Sequence, residues 1–387
     1  MLQKYRVVLL IETSSGYGRE TLQGIMRFLR THHDWSVFLE LCDVGREPPK
    51  WLFDWNGHGI ISRLTTPELA DAVKESGIAM VDLSDRRIIH DLPSVRTDNV
   101  RVGEMAADYL IKRGFRSFAY CGFENEQWST DREKAFVDAV TRHSGVDGCE
   151  IYRSRWFGES LRSWEDQQAE LITWLGQLAK PVAVFCANDG RAQHVLEACS
   201  RAELLVPEEV AVLGVDNDSI IGPLCDPTLS SIEINPEEVG FVAAELLSQL
   251  MMGKKPESIV RYIQPISVET RQSTDVKAIA DPLIASARAF IHENSCNGIT
   301  VQSVTEHCGL SRSTLERQFR KLFDRSPQQE IRHVQIKRAR KLLAETDLSM
   351  ERIANLCGFD HPEYMHVVFR REIDMTPGQY RRQSRAE

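Results

Sequence analysis

The chain has 387 residues, 42% hydrophobic and 27% charged, with a formal net charge of −9, which is too long for one core of about 100–200 residues and predicts two or three folding units. Near the start the longest uninterrupted apolar stretch is residues 7–11, far short of the roughly 18 residues of a membrane span and too short for a signal-peptide core, so a membrane-spanning or exported protein is not expected. Nine cysteines, an odd number without any C-x-x-C pair, suit neither a disulfide framework nor a zinc site and fit a reducing cytoplasm.

Residues 6–12 form an apolar, β-branched run, followed by a turn over 13–18 and then Leu22, Ile25, Met26 and Leu29 at helical spacing. That is strand, turn, helix. The cycle recurs at residues 35–41, at 59–64 with a helix after Thr66-Pro67, and at 78–83, 115–122, 182–187 and 210–215. Such alternation predicts parallel sheets flanked by helices. One large sheet, one barrel and two smaller sheets all satisfy the periodicity.

Ligands of open α/β sheets bind outside the carboxyl ends of the strands, and here those ends are polar. They carry Tyr17, Gly18 and Arg19; Thr97, Asp98 and Asn99; Trp128, Asp131 and Arg132; Asn188 and Asp189; and Asp216, Asn217 and Asp218. Carboxylates, amides and an arginine beside aromatic faces suit a polyhydroxylated ligand. Any single Asp or Asn in such a place is more often a helix cap; five such loops together favour a site. Gly16-x-Gly18 lacks the third glycine of a dinucleotide loop, since Thr21 stands there, and neither a P-loop, a G-x-S-x-G elbow nor an H-E-x-x-H pair occurs. No cofactor, metal or catalytic set is expected.

Residues 5–275 resemble the effector-binding core of the lactose-repressor and ribose-binding-protein family. The resemblance is carried by Arg96-Thr-Asp98-Asn99 with Gly103, Asp131-Arg132 with Phe136, Cys186-Ala-Asn188-Asp189-Gly, Leu213-Gly-Val-Asp216-Asn217 and Val268-Glu-Thr-Arg271-Gln-Ser273. It implies two α/β lobes of the periplasmic-binding-protein type, joined near residues 113–115, 235–236 and 253–256, with the ligand between them. Asp98, Arg132, Asn188 and Asp216 are then the ligand contacts, with Asp189 beside them. Tyr17, Arg19 and Trp128 join the set because their loops face the cleft, although Trp128 serves equally as a core or hinge residue. Ala135 stands where the family often has glycine. Repressors of this family carry a helix-turn-helix before the core, whereas this chain enters its first strand by residue 6, so DNA reading is expected elsewhere.

Residues 281–387 hold 17 Lys+Arg against 14 Asp+Glu, or +3, which leaves −12 for residues 1–280. All but three of those basic residues are arginine, whose planar fork suits phosphate and guanine. The segment also contains a repeat. Phe319-Arg-Lys-Leu-Phe-Asp324-Arg-Ser326-Pro327 matches Phe369-Arg-Arg-Glu-Ile-Asp374-Met-Thr376-Pro377 at an offset of fifty, and Cys308-Gly309 matches Cys357-Gly358 at forty-nine. Each copy reads as a short helix (301–308, 350–357), a left-handed glycine turn and a second helix, the DNA-binding pattern. In the first copy Leu315, Phe319, Leu322 and Phe323 share the buried face; Arg312, Ser313, Thr314, Glu316, Arg317 and Arg320 are the DNA candidates. In the second, Asp360-His-Pro-Glu363 reads as a capping box and Tyr364, Met365, Val368 and Phe369 as the buried face. His361, Glu363 and His366 are left for DNA, with Tyr364 counted among them too. Ser326-Pro327 and Thr376-Pro377 read as N-cap plus first-turn proline, and residues 327–346 as the connecting helix.

Over residues 280–384 this pattern resembles the arabinose-regulator type of double helix-turn-helix domain. Asp324 and Asp374 replace its usual turn glycines, Gln335 a common arginine, and Val367 a frequent arginine or polar contact. A sugar-binding core over 1–275 followed by an all-α DNA-binding domain over 276–387 resembles the pentose-operon transcription activators throughout. That resemblance implies a cytoplasmic, homodimeric regulator that is not an enzyme. Its partners are a double-stranded DNA operator, RNA polymerase and a small sugar effector, with D-xylose the first to test. A repressor, a regulator of another sugar or polyol, and a sugar-modifying enzyme are the alternatives, separable by ligand titration, by ligand-dependent DNA affinity and by pentose turnover.

Overall fold

The structure, a computed structural model, describes residues 4–43, 47–85, 91–143, 148–156, 163–275 and 281–384. The chain divides into two compact units, 1–275 and 276–387. Among the described residues, no helix is long and apolar enough to cross a membrane.

The first unit contains β1 (Tyr5–Leu10), β2 (Trp35–Glu40), β3 (Gly59–Ser62), β4 (Ala79–Asp82), β5 (Ser94–Thr97), β6 (Ser117–Phe123), β7 (Cys149–Ser154), β8 (Val182–Cys186), β9 (Val210–Val215), β10 (Ser230–Glu233), β11 (Val260–Ile263) and β12 (Ser267–Glu269). They form two six-stranded sheets, β11-β5-β4-β3-β1-β2 in lobe one and β12-β10-β9-β8-β6-β7 in lobe two. Pairing is parallel except between β10 and β12. β1 is apolar at successive positions because both of its faces are covered: Val7 and Leu9 enter one core cluster, Val8 and Leu10 another, the arrangement of a parallel sheet between helix layers. β7, β10, β11 and β12, short or partly exposed, were not legible as strands in the sequence.

Two helices pack on the lobe they lead into. Helix Asn99–Lys112 follows β5 of lobe one but lies on helix Gln127–Thr141, where a Cβ at Gly103 would overlap the Arg132 carbonyl oxygen and come within 2.8 Å of the Ala135 Cβ. It is Gly103, not position 135, that supplies the close approach here. Helix Pro236–Met251 follows β10 of lobe two but buries Val239, Ala243, Leu246 and Leu247 with Val7, Leu9 and Ile25 of lobe one. The chain therefore crosses between lobes at 97–99, 234–235 and 264–266. The expected crossing near 235–236 agrees, while those at 113–115 and 253–256 are corrected. Gly114 (φ +85°) and Gly253 (φ +77°) are left-handed turns after helices; they reverse the chain without changing lobe.

The last residues of the first unit are fixed in lobe two. Ser273 and Thr274 are fully buried. Ser273 Oγ donates to the Val212 carbonyl (2.6 Å) and accepts from the Ser230 amide (2.8 Å), and Arg113 Nε donates to the Thr274 carbonyl (3.0 Å).

The second unit has helices Pro282–Asn294, Val301–Cys308, Arg312–Phe323, Pro327–Glu345, Met350–Leu356, Pro362–Ile373 and Pro377–Gln383; the first of these was not anticipated. Ser326 and Thr376 each accept from the amide three residues on, of Gln329 and Gln379, whose side chains return the contact, so both copies restart on the same capping box with proline in the first turn. Gly309 and Gly358 are left-handed, as are Asp324 (φ +56°) and Asp374 (φ +57°), the conformation that their glycine-like positions demand. The box expected at Asp360–Glu363 does not form. Pro362 occupies the first turn, which makes His361 the N-cap and leaves Asp360 one residue too early. Gln335, buried, donates from Nε2 to the carbonyls of Ser295 (2.9 Å) and Gly358 (3.1 Å), joining the leading helix to the second turn.

Candidate functional site

At the carboxyl ends of the two sheets, a set of polar side chains meets between the lobes. Arg132, buried, donates from Nε to Asn99 Oδ1 (2.8 Å) and from Nη1 to the Ala187 carbonyl (2.5 Å), and its guanidinium lies 4.9 Å from the Trp128 ring. Asp216 ends β9 with φ +112°, a conformation that a non-glycine residue holds only where its surroundings enforce it. Its carboxylate makes no hydrogen bond among the described residues, and burial pushes its carboxyl up to about 7 against the pull of Arg132 and Arg63. From lobe one, the Tyr17 hydroxyl lies 3.3 Å from Thr97 Oγ1, and the Arg63 guanidinium stacks 4.2 Å over the Tyr17 ring. Arg63 Nε donates to Glu12 (2.9 Å), while its Nη1 and the Oδ1 of Asp85 are buried without a partner. Burial raises the Asp85 carboxyl, although Arg63, Arg96 and Arg132 draw it down.

Unpartnered buried donors and acceptors facing one another are what a bound polyol satisfies, since each hydroxyl both donates and accepts. The structure brings together Tyr17, Arg132, Trp128 and Asp216 of the sequence-predicted set. Asp98 and Asn188 are helix N-caps, accepting from the amides of Arg101 (3.0 Å) and Arg191 (2.8 Å). Asp189 is buried and accepts from the Ser231 hydroxyl (2.6 Å) and the Asp218 amide (2.8 Å), which braces the loop after β9. Burial and the neighbouring Asp216 hold its carboxyl well above the usual range. Trp128 Nε1 donates to Glu126 (3.0 Å), so its N–H is taken, and the ring is buried beside Arg132, Phe123 and Trp156. Arg19 is exposed and donates to the Thr13 carbonyl (2.9 Å), apart from the cluster. Arg63 and Asp85 were missed, and Asn99 was named among the strand-end residues but not among the ligand contacts. Arg63 and Asp85 follow β3 and β4, so the strand-end rule extended to those two strands would have found them.

In the second unit the two helices after the glycine turns present the arginine-rich faces. Arg312, Ser313, Arg317 and Arg320 are exposed, and Arg312 pairs with Glu316 at 3.1 Å. The Thr314 hydroxyl turns back to the Ser311 N-cap (2.9 Å). Leu315 and Phe319 are buried beneath them, as are Met365, Val368 and Phe369 in the second copy. His361, Glu363 and His366 are exposed. Tyr364, expected in the buried face, is instead 48% exposed: its hydroxyl accepts from Arg332 Nη2 (3.0 Å) and its ring lies 4.8 Å from that guanidinium. Arg332 draws the ring out along the helix surface.

The geometry agrees with comparisons to known proteins. The family of periplasmic binding protein-like domains matches residues 107–274, and a helix-turn-helix domain family matches residues 304–383. The xylose operon regulatory protein of Haemophilus influenzae is 31% identical over 387 residues, covering 98% of each chain. That of Escherichia coli K12 is 28% identical, covering 98% of this chain and 97% of its own. A solved structure of a xylose-binding transcription activator superposes with a TM-score of 0.81 at 27% identity, covering 99% of both chains. With both parts matched in one order and at full length, the chain belongs to the xylose operon regulatory protein family, as a sugar-binding, DNA-binding transcription regulator and not an enzyme.

Proposed function

We propose that this protein is a xylose-dependent activator of pentose-utilisation genes, acting in the cytoplasm as a homodimer on an operator recognised by its carboxyl-terminal helices. The observation that carries the sugar assignment is the unpartnered carboxylate of Asp216 beside the Arg132 guanidinium and the Trp128 ring. Arg132, Asp216 and Asn99 hold vicinal hydroxyls from lobe two, Arg63 and Asp85 from lobe one, and Tyr17 and Trp128 cover the C–H faces of the ring. A sugar held by both lobes favours the closed arrangement by its differential affinity, and about 1–3 kcal/mol of coupling is typical of such switches. On DNA, the helices starting at Arg312 and Pro362 enter successive major grooves about 34 Å apart. Arg312, Arg317 and Arg320 lead in the first; His361, Glu363 and His366 contact DNA from the second. RNA polymerase is the partner through which activation is read out.

Calorimetric titration of the full chain with D-xylose, L-arabinose, D-ribose and D-glucose tests the reading. A response confined to xylose supports it; a response to another of the four reassigns the effector, and silence toward all removes the pentose assignment.

A further inference from the structure

The two recognition helices are built on one plan, and one of the points at which they differ carries information about the operator. Arg312–Phe323 and Pro362–Ile373 correspond at an offset of fifty. Their buried positions coincide, Leu315 with Met365 and Phe319 with Phe369. Both end on a left-handed aspartate, Asp324 and Asp374. With the scaffold shared, the positions at i, i+3, i+4 and i+7 on the outer face correspond too: Ser313, Glu316, Arg317 and Arg320 with Glu363, His366, Val367 and Arg370. All four of the second set are exposed.

Val367 occupies the place that Arg317 holds in the first helix. It is 64% exposed, the most exposed of the large hydrophobics among the described residues of this unit, and is not among the residues packed in the core cluster that holds Met365, Val368 and Phe369. Its immediate helical neighbours Met365, Val368 and Phe369 are buried, so the helix has its core contacts without it. Arg317 likewise has no ion pair or hydrogen bond from its side chain among the described residues. An arginine on the groove-facing stripe reads guanine through O6 and N7; an aliphatic side chain can distinguish bases there only by contact with the 5-methyl group of thymine.

We infer that Val367 is a specificity-determining residue that reads a thymine methyl, so that each domain recognises a guanine through Arg317 and, one groove further on, a thymine through Val367. The two subsites are thus chemically unlike, which fixes the direction in which a domain lies on its DNA. This rests on the placement of both helices in the major groove proposed above, and the experiment separates the two.

The full-length protein is used to select duplexes from a random-sequence library, and the best duplex is resynthesised with each thymine replaced singly by deoxyuridine, which pairs identically but lacks the methyl. One replacement is expected to weaken binding about fourfold, the value of one buried methyl-sized group. Val367→Ala should lose about the same on the thymine duplex and show no further loss at that position on the uracil duplex, while sugar affinity is unchanged. Val367→Arg should shift the selected base there toward guanine. The inference is overturned if no thymine-to-uracil replacement matters, or if Val367→Ala keeps the full methyl dependence. Should either result occur while Arg317→Ala still weakens binding, only the assignment of Val367 falls; if neither variant changes DNA affinity, the groove placement falls with it.

Discussion

Gln264 donates from Nε2 to Asp98 Oδ2 at 2.8 Å, a bond that ties the first crossing between the lobes to the third. The same carboxylate caps helix Asn99–Lys112 through the Arg101 amide. Removing each partner should therefore have unequal effects. Asp98→Ala loses a cap and should cost about 1 kcal/mol of unfolding free energy. Gln264→Ala leaves the cap intact and should cost less, while changing how strongly sugar alters DNA affinity. Denaturant unfolding and a DNA-binding isotherm with and without sugar check both.

Asp216 gives the cleft a pH dependence. Its folded-state carboxyl is raised to about 7 from an ordinary value of 3.8, so the folded protein holds that proton more tightly than the unfolded chain. Stability from this group is therefore full at low pH and declines as pH rises from about 4 to about 7. Sugar hydroxyls donate to the ionised form, so sugar affinity should run the other way and weaken as pH falls below about 7. Asp216→Asn should flatten both profiles, which denaturant unfolding between about pH 4 and 7 and sugar titration calorimetry between about pH 5.5 and 8.5 would record.

Glu330 sits buried between a histidine and two arginines of the second unit: His292 at 2.9 Å, Arg325 at 3.2 Å and Arg288 at 3.4 Å. Burial alone would raise its carboxyl, but the His292 hydrogen bond and the arginine charges outweigh it and hold it down to about 2. The stability it contributes is present above its ordinary value of 4.5 and fades as pH falls toward 2. Glu330→Gln strands the two arginines and should cost about 3–5 kcal/mol. DNA binding should fail with it while sugar affinity survives.

Gly103→Ala drives a methyl into the Arg132 carbonyl and the Ala135 side chain. Overpacking of that kind costs about 1–3 kcal/mol, and the helix that must yield carries Arg132. A lower melting temperature should come with weaker sugar binding, whereas an equally destabilising change far from that helix should leave sugar affinity alone.

Much of the fold was legible because its signals are local. The bounds Val210–Val215 and Val301–Cys308 and the starts at Pro327 and Pro377 follow from apolar runs, a glycine stop and Ser/Thr-Pro caps within a few residues. Two of the three crossings were not, because where a helix packs depends on a partner far along the chain, as with Gly103 against Arg132. Edge strands such as β7 and β11 lack the continuous apolar run of the central ones. In the cleft, Arg132 and Asp216 stood out by motif, whereas Asp85 and Arg63 belong to no motif and stand out by unpartnered atoms that folding buries.

The clamp on Ser273 and Thr274 also has a mechanical meaning. The backbone leading to the DNA-reading unit leaves from residues held at both side chain and main chain by lobe two, through Val212, Ser230 and Arg113. The hydrogen bonds that hold these two residues all come from the lobe-two side, Tyr109 included. Any displacement of lobe two is therefore passed to the start of that backbone, and the stiffness of this mooring sets how little of it is lost before it leaves the sugar-binding unit.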